Sequence, residues 1–600
     1  MKTKIKNIAI ILGMVALTSC NDFFDEDPVY STTPDTFFHS ETALETYCNG
    51  FINSYLPSAA TLTRGDQYSD ICVTATTENY LKPSGYSAQQ ASNWAKSNWS
   101  ELYDVNYFLK YMTMAKDDVD EATYNHYEGV GRFWRAWFYW SKVKTFGDVP
   151  YYDEPIDPND DEALYKGRDS RDYVMGKVLE DLNFAASNCS TASKYVNTNV
   201  INRYVALALK ARVCLYEGTY RKYHELENSE EWLRECVSAC EDLMENSPYS
   251  LLSVSGQEKT NYSNVFKSES PQYTEVILAR EYSQTLNVLH DASWFFASGS
   301  YGQRNSATKA FMNMYLNLDG TRFTDKANYN QVQWKDEFTN RDYRLRQTII
   351  TPDYTKKVNG TSTNEFSKIF SGLGSQLTYY RVIKWNTDDD SQESTTSSNN
   401  SLSVFRFGEV LLNYAEAKAE LGEMNTTVWD KTIRLLRQRS GVTGTAPTTA
   451  DPYLSEYYDG LSDMWILECR RERTIEMFLE NVRRDDLMRW KMGHKLVVEF
   501  AGLYIPELGK PFDLNGDGTN DICFYSKSKP KPSTTSTSIT YVEVTAQDGD
   551  NVTAYSVNKD NCLVYELDRE WFDYKYLYPI PKTALNLNPN LLPQNPGWDY

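Results

Sequence analysis

The chain has 600 residues, enough for several domains or for one large body with insertions, and no long linker divides it. Its formal net charge of −21 argues against nucleic acid or an anionic lipid surface as a partner. The ten cysteines include no CxxC pair and the five histidines are scattered, so neither a disulfide framework nor a zinc site is expected. Aromatic residues make up 14% of the chain, more than a core of this size requires, and we expect some rings on the surface.

Residues 1–19 have the form of a signal peptide, with three lysines before a short apolar run. This run is about half of the roughly 20 residues that a membrane-spanning helix needs. It ends at Cys20 in the sequence LTSC, which resembles a bacterial lipobox. The resemblance implies that the thiol of Cys20 carries a diacylglycerol, which would hold the protein on a membrane. The alternative is a plain secretory signal whose cleavage site contains a cysteine by coincidence.

Residues 20–40 are predicted to form a lipidated tether. The acidic tract at 21–27 resembles the surface-export signal of Bacteroidetes lipoproteins. The same tract also fits a solvated, disordered tether with no signal function.

The best-defined segments of the chain are helical by the period of their apolar residues. We predict helices over residues 132–141, 205–220, 233–244, 407–421, 432–440 and 465–490. The segment at 205–220 places small residues where a neighbouring helix can approach closely, as in helix-turn-helix repeats. The predicted helical core is therefore discontinuous in the sequence.

The segments between these helices have a different composition. Residues 250–306 and 351–403 are rich in Ser, Thr, Asn and Gly, which predicts loops and small strands such as 275–279. Residues 530–540 are rich in Pro, Ser and Thr and are expected to be exposed. The chain end is too rich in proline for a helix, so residues 500–600 are predicted to run extended over the helical body.

One motif near the chain end predicts a metal site. Its oxygen-bearing residues alternate, with a glycine at the expected sharp turn, as in the first nine positions of a calcium loop. The residues are Asp513, Asn515, Asp517, Gly518, Thr519 and Asp521. The twelfth position is Phe524 rather than a bidentate glutamate, and the alternative is a polar Asn-Gly turn. The sequence thus favours at most a structural calcium ion, and no cofactor is expected to be required.

Six motifs occur in the order seen in one protein family. They lie at residues 135–151, 203–220, 405–421, 437–442, 472–490 and 578–598. With 319–322 and 380–385 between them, the resemblance spans essentially the whole mature chain. The chain thus resembles SusD/RagB outer-membrane nutrient-binding lipoproteins.

The resemblance implies a mainly α fold, a tetratricopeptide-like helical superhelix with a loop-rich, irregular α/β subregion. We divide the expected single body of residues 41–600 into a helical repeat core at about 41–250 and 405–500, a loop-rich binding region at about 60–100 and 250–404, and the tail at 500–600. The family resemblance also implies a lid over a SusC-like TonB-dependent transporter and a lipid-anchored place in the outer membrane, facing the cell exterior. The charged residues of motif 472–490 are predicted to form buried or half-buried ion pairs that fix helix packing.

Sugar capture requires flat apolar rings against the C–H face of a pyranose, with fixed donors and acceptors around its hydroxyls. Two loop regions supply such residues, and ligand contacts in the family fall in roughly these regions. The candidates are Asp66, Asp70, Tyr80, Tyr86, Asn93 and Trp94 in the first region and Trp294, Phe296, Tyr301 and Arg304 in the second. Trp94 precedes a predicted helix and is favoured as a platform, whereas Trp99 is predicted to be a core residue.

The resemblance predicts a binder of oligosaccharides that performs no catalysis. The aromatic loops could instead bind peptide, as RagB-like members do, or contact the transporter. A glycosidase would need two carboxylates about 5–10 Å apart across a sugar site, and among 82 acidic residues some such pair always exists. No GxSxG, HExxH or P-loop motif is present. A structural surface protein with no ligand is a third class.

Overall fold

The structure is a computed structural model that describes residues 33–297, 305–364, 376–545 and 554–599. Helices dominate it, and the prediction of a mainly α protein is confirmed. In the first half of the chain the helices are α1 (Pro34–Phe37), α2 (Glu41–Tyr55), α3 (Ala59–Arg64), α4 (Ser100–Tyr111), α5 (Glu121–Phe146), α6 (Asp161–Leu164), α7 (Arg171–Asn188), α8 (Arg203–Tyr223), α9 (Ser229–Asn246), α10 (Asn261–Lys267) and α11 (Ala292–Ala297).

The second half of the chain has shorter helices and most of the strands. Its helices are α12 (Lys309–Met314), α13 (Tyr343–Thr348), α14 (Phe407–Glu420), α15 (Thr426–Lys431), α16 (Ile433–Arg439), α17 (Pro452–Tyr457), α18 (Met464–Glu476), α19 (Arg483–Arg489) and α20 (Lys582–Leu587). Within the described ranges, no helix combines the length and the apolar character needed to cross a membrane.

The strands form only small sheets. They are β1 (Cys72–Val73), β2 (Val276–Arg280), β3 (Ser306–Ala307), β4 (Thr355–Val358), β5 (Thr361–Asn364), β6 (Leu402–Arg406), β7 (Phe500–Tyr504), β8 (Ile522–Tyr525), β9 (Thr540–Glu543), β10 (Tyr555–Val557) and β11 (Cys562–Tyr565). β2 pairs antiparallel with β6, which leads directly into α14 and so joins the irregular region to the helical core.

In the described part of the chain, the core helices α5, α7, α8, α9, α14 and α18 pack against one another in that succession. The longest of them, α5, is preceded by Asp120, whose carboxylate accepts from the amide of Thr123 at 2.9 Å and so caps the helix. The helix stops at Phe146, and Gly147, with φ +73°, follows it. α4 packs on α5. The segment that precedes α4, residues 87–99, is therefore attached to the helical core.

The predicted helix at 465–490 is interrupted in the structure. α18 ends at Glu476 and α19 begins at Arg483. Between them, Leu479 and Asn481 have φ of +56° and +60°, a left-handed conformation that no α-helix contains. The apolar period continues across this break because both helices face the same core, which is why the sequence suggests one helix.

Buried ion pairs hold the two helices in place, as predicted for motif 472–490. Glu476 lies in the interior and accepts hydrogen bonds from Arg344 at 2.9 Å and Arg406 at 2.7 Å. Burial alone would raise its pKa, but the guanidinium groups of Arg439 and Arg406 hold the pKa well below its usual range. Removing one of these charges alone would therefore leave its partner buried and unpaired, and would destabilise the packing of the helices.

The tail at 500–600 differs from the predicted extended segment. β7, β10 and β11 form a three-stranded sheet, β8 and β9 form a parallel pair, and α20 follows. The last part runs over the helical body, where the side-chain amide of Asn595 donates to the carbonyl oxygen of Phe146 at 2.9 Å. Residues 530–540 are largely exposed, as expected.

Candidate functional site

Trp94 and Trp99 form a half-buried aromatic pair at the start of α4. Their ring centroids are 5.3 Å apart and the ring planes are inclined at 71°. Trp94 also packs edge-on against Phe146 at 4.8 Å, at the end of α5. Trp99 is predicted as a core residue, but it is only half-buried, so both indoles keep some surface accessible to solvent.

Lys142 connects this pair to the helical core. It lies on α5, and its Nζ donates a hydrogen bond to the carbonyl oxygen of Asn93 at 3.2 Å. The same ammonium group is 5.0 Å from the centroid of the Trp99 ring, within range of a cation–π contact. Burial lowers the pKa of Lys142 to about 8, although the carboxyl of Glu101 opposes the shift.

Glu101 lies in the first turn of α4, two residues after Trp99. Its Oε1 is buried and makes no hydrogen bond within the described part of the chain. Burial raises the pKa of Glu101 to about 8, against the effect of the Lys142 charge. At neutral pH most of this carboxyl is therefore protonated and can donate a hydrogen bond as well as accept one.

We call Asn93, Trp94, Trp99, Glu101 and Lys142 the Trp94 site. It combines two partly accessible indoles with a carboxyl and an ammonium group, on a segment held by two helices. The indoles can stack on the apolar face of a sugar ring, and the exposed side chain of Asn93 can hydrogen-bond its hydroxyls. Lys142, which is 9% exposed, and the buried Oε1 of Glu101 lie below this surface. Sequence reasoning identified Asn93 and Trp94 but missed Glu101 and Lys142. Lys142, a charged residue just after the aromatic run 133–140, was the available signal.

Asp66 and Asp70 were predicted to contact ligand, and their burial contradicts this. Asp66 is 1% exposed and accepts from the amides of Val482 (3.1 Å) and Arg483 (2.9 Å) at the start of α19. Asp70 is fully buried and forms an ion pair with Arg483. Both carboxylates hold α19 in place, so a surface ligand cannot reach them.

Tyr80 and Tyr86 lie in an aromatic cluster that fastens the chain end. Tyr80 stacks on Tyr578 with ring centroids 4.1 Å apart, and its hydroxyl donates to the carbonyl oxygen of Lys575 at 2.6 Å. Tyr86 packs edge-on against Tyr578 and Trp598. Tyr80 is 4% exposed, so its predicted ligand contact is wrong, whereas Tyr86 is half-buried and its role stays a prediction.

The second predicted region contributes one accessible ring among the described residues. Trp294 is half-buried on α11, which packs against α3. Phe296 is 2% exposed and its carbonyl oxygen accepts from Arg381, so the prediction of a ligand contact for its side chain is wrong. Tyr301, Arg304 and the lipid-bearing Cys20 lie outside the described residues.

A polar cleft of about 260 Å³ lies between residues 316–325 and 444–448. Its two arginine side chains are already engaged, since Arg437 binds Glu468 and Glu472, and Arg322 donates to the carbonyl oxygen of Thr449 at 2.8 Å. The described residues that line it include no aromatic ring. The cleft therefore lacks the flat apolar surface that sugar binding requires.

The predicted calcium loop is closed by its own main chain. Asp513 accepts from the amides of Gly516 (2.6 Å) and Gly518 (2.9 Å), and Asp521 accepts from the amide of Leu514 at 2.8 Å. Within the described ranges, no three acidic, histidine or cysteine side chains are grouped to hold a metal ion. The oxygen donors suit calcium in type, and calcium binding stays a prediction.

Comparison with known proteins agrees with this architecture. Residues 274–598 match the model of the SusD family, and residues 40–229 match a family described as starch-binding and associating with the outer membrane. SusD-like protein P25 of Formosa agariphila is 24% identical over 523 residues, covering 81% of this chain and 90% of that protein. SusD-like protein P2 of the same organism is 22% identical and covers 98% and 99%.

Solved structures share the fold. A SusD-like protein from Bacteroides fragilis superposes with a TM-score of 0.67 at 20% identity, covering 96% of this chain and all of that one. A SusD-like carbohydrate-binding protein from the same organism gives 0.65 at 19% identity and covers 93% and 100%. Because the SusD family model matches more than half of the sequence and the fold agrees over nearly its full length, this chain belongs to the SusD family.

Proposed function

We propose that this protein binds oligosaccharides at the outer membrane and performs no chemistry on them. The observation that carries the proposal is the Trp94 site, where two indoles and the polar groups of Glu101 and Lys142 meet on a rigid helical support. Membership of the SusD family supports it, as do the description of the second matching family as starch-binding and the carbohydrate-binding relative of known structure.

We further propose that a lipid on Cys20 anchors the protein to the outer membrane, facing the exterior. Bound sugar would then be passed to a SusC-like TonB-dependent transporter. The family description that mentions association with the outer membrane supports this arrangement. A peptide ligand, as in RagB-like members, is the second candidate, because aromatic surfaces also bind peptide side chains.

Calorimetry and affinity electrophoresis of the protein without residues 1–20 test the proposal. The ligands are host, plant and microbial glycans, and the variant is Trp94→Ala. Trp465→Ala is a matched control, because Trp465 is also a half-buried tryptophan at a helix start that packs on a second indole, Trp429. We expect binding that Trp94→Ala weakens and Trp465→Ala leaves unchanged.

Two results would reject the proposal. Folded protein that binds no glycan in the panel but binds peptides would favour the second candidate. Release of new reducing ends from a bound glycan would show that the protein is a glycosidase.

A further inference from the structure

A row of aromatic side chains runs along the outer face of α4, beginning at the Trp94 site. Trp99, Tyr103, Tyr107 and Tyr111 recur at every fourth position. In an α-helix, residues four apart are neighbours on the surface, about 6 Å apart along the axis and turned by about 40° around it. The row, which we call the α4 track, therefore extends over about 18 Å, starting from an indole that already belongs to the Trp94 site.

The rings of the track pack against the protein on one side and stay partly accessible to solvent on the other. The Tyr103 and Tyr107 centroids are 6.2 Å apart, and those of Tyr107 and Tyr111 are 4.5 Å apart. Tyr107 stacks on Tyr47 of α2 at 6.4 Å, with the planes inclined at only 15°. Tyr103 is 48% exposed, and the other members are half-buried. The protein thus holds these rings in fixed positions while leaving part of each accessible.

Charges of both signs flank the track. Asp104 accepts a hydrogen bond from the hydroxyl of Tyr55 at 2.8 Å, and Lys110 lies 3.4 Å from the carboxylate of Glu154. Because charges of both signs flank the track, it has no net electrostatic preference for a charged ligand, and a neutral, hydroxyl-rich ligand can hydrogen-bond to groups of both signs. The steps between neighbouring tyrosine rings, 6.2 Å and 4.5 Å, bracket the length of one pyranose unit in an extended chain.

We propose that the α4 track binds an extended, neutral glycan chain whose end occupies the Trp94 site. This proposal rests on the proposed function and adds to it the class of ligand, a polymer several sugar units long. Each tyrosine stacks on a successive sugar unit, so affinity increases with chain length until the track is filled. Short oligosaccharides occupy the Trp94 site alone.

Binding assays with Tyr103→Ala and Tyr107→Ala test the track. The probes are soluble amylopectin, xylan, glucomannan and laminarin, together with short oligosaccharides prepared from each. We expect each variant to weaken polysaccharide binding by roughly 3- to 10-fold, the effect of losing one ring stack, and to leave short oligosaccharides unaffected. Trp94→Ala should weaken both. Tyr173→Ala on α7 is the matched control, because Tyr173 is 49% exposed.

The possible results are distinguishable. If both tyrosine variants bind polysaccharide like the unaltered protein while Trp94→Ala loses binding, the track is rejected and the proposed function stands. If the protein binds none of these probes but binds charged glycans, the track is likewise rejected. A change of oligomeric state in Tyr103→Ala, measured by sedimentation, would reject it too and assign the face to a second copy of the chain. Absence of binding to any glycan would reject both proposals.

Discussion

The carboxylate of Asp70 and the guanidinium group of Arg483 form a two-point ion pair between positions 413 residues apart. The Oδ1–Nε distance is 2.9 Å and the Oδ2–Nη2 distance is 2.6 Å. Both side chains are buried, and the hydroxyl of Thr474 takes a further guanidinium hydrogen, from Nη1, at 2.8 Å. The pair ties the segment after α3 to α19, so this aspartate in a predicted binding loop is a structural residue.

We expect Asp70→Asn to lower the free energy of unfolding by about 3–5 kcal/mol, because it leaves the Arg483 charge buried without its partner. Urea unfolding at constant pH measures the change. Asp485→Asn is the control from the same motif, since Asp485 pairs with Lys144 near the surface and should matter by less than about 1 kcal/mol. If folded Asp70→Asn protein lost glycan binding, Asp70 would contact the ligand after all.

Replacing Lys142 by Met should loosen the segment that carries Trp94. The variant keeps most of the apolar side chain but removes the hydrogen bond to the carbonyl oxygen of Asn93 and the charge above Trp99. Hydrogen exchange measured by mass spectrometry should show faster exchange in residues 87–99, with α5 unchanged. Glycan binding should weaken by roughly tenfold, the equivalent of one hydrogen bond of about 1.4 kcal/mol. Unchanged exchange would show that Lys142 does not hold this segment.

The difference in stability between Glu101→Gln and the unaltered protein should depend on pH. The folded-state pKa of Glu101 is about 8 and the ordinary value is 4.5, so the folded state binds the proton more tightly. The stability that this proton contributes is complete below pH 4.5 and is lost as pH rises toward 8. Because glutamine does not titrate, the variant should gain about 1 kcal/mol per pH unit relative to the unaltered protein across this range.

Thermal unfolding of both proteins at several pH values measures this trend. The comparison cancels the titration of groups common to both proteins. A constant difference in melting temperature from pH 5 to pH 8 would show that Glu101 ionises normally, and the protonated carboxyl would then be removed from the Trp94 site.

The calcium hypothesis predicts that about millimolar calcium raises the melting temperature by binding the loop at 513–521. Asp517→Ala should abolish the increase, because it removes one of the alternating oxygen ligands. Asp560→Ala, which changes an aspartate elsewhere in the tail, is the control. Titration with calcium that gives no heat and no change in melting temperature would reject the hypothesis and leave a main-chain-closed turn.

Cys20→Ser should release the protein from the membrane, because lipid attachment requires the thiol. Fractionation of cells and metabolic labelling with palmitate measure the two consequences. Retention of the unlabelled variant in the outer membrane would show that the protein is held there by a partner rather than by its own lipid.

Helix positions were largely predictable, because the period of apolar residues is a local property of the sequence. The prediction for α8 was 205–220 and the helix is Arg203–Tyr223, while α14 at Phe407–Glu420 matched within one residue. The break between α18 and α19 was not predicted, since left-handed Leu479 carries no local signal of the kind that glycine gives, and Asn481 alone is a weak one. The fold class and the family were therefore available from the sequence, and the break was not.

The sequence by itself determined that this protein is a mainly helical member of the SusD family and that Trp94 lies before α4. Only the tertiary structure decided which polar residues are accessible. Asp66 and Tyr80 were good candidates by residue type. In the fold, however, Asp66 accepts hydrogen bonds from the amides of 482–483, and Tyr80 stacks on the ring of Tyr578. Glu101 and Lys142 lie below the indoles of the Trp94 site because α4 packs on α5. Exposure depends on contacts between residues that are distant in the chain, which no local pattern of residue types records.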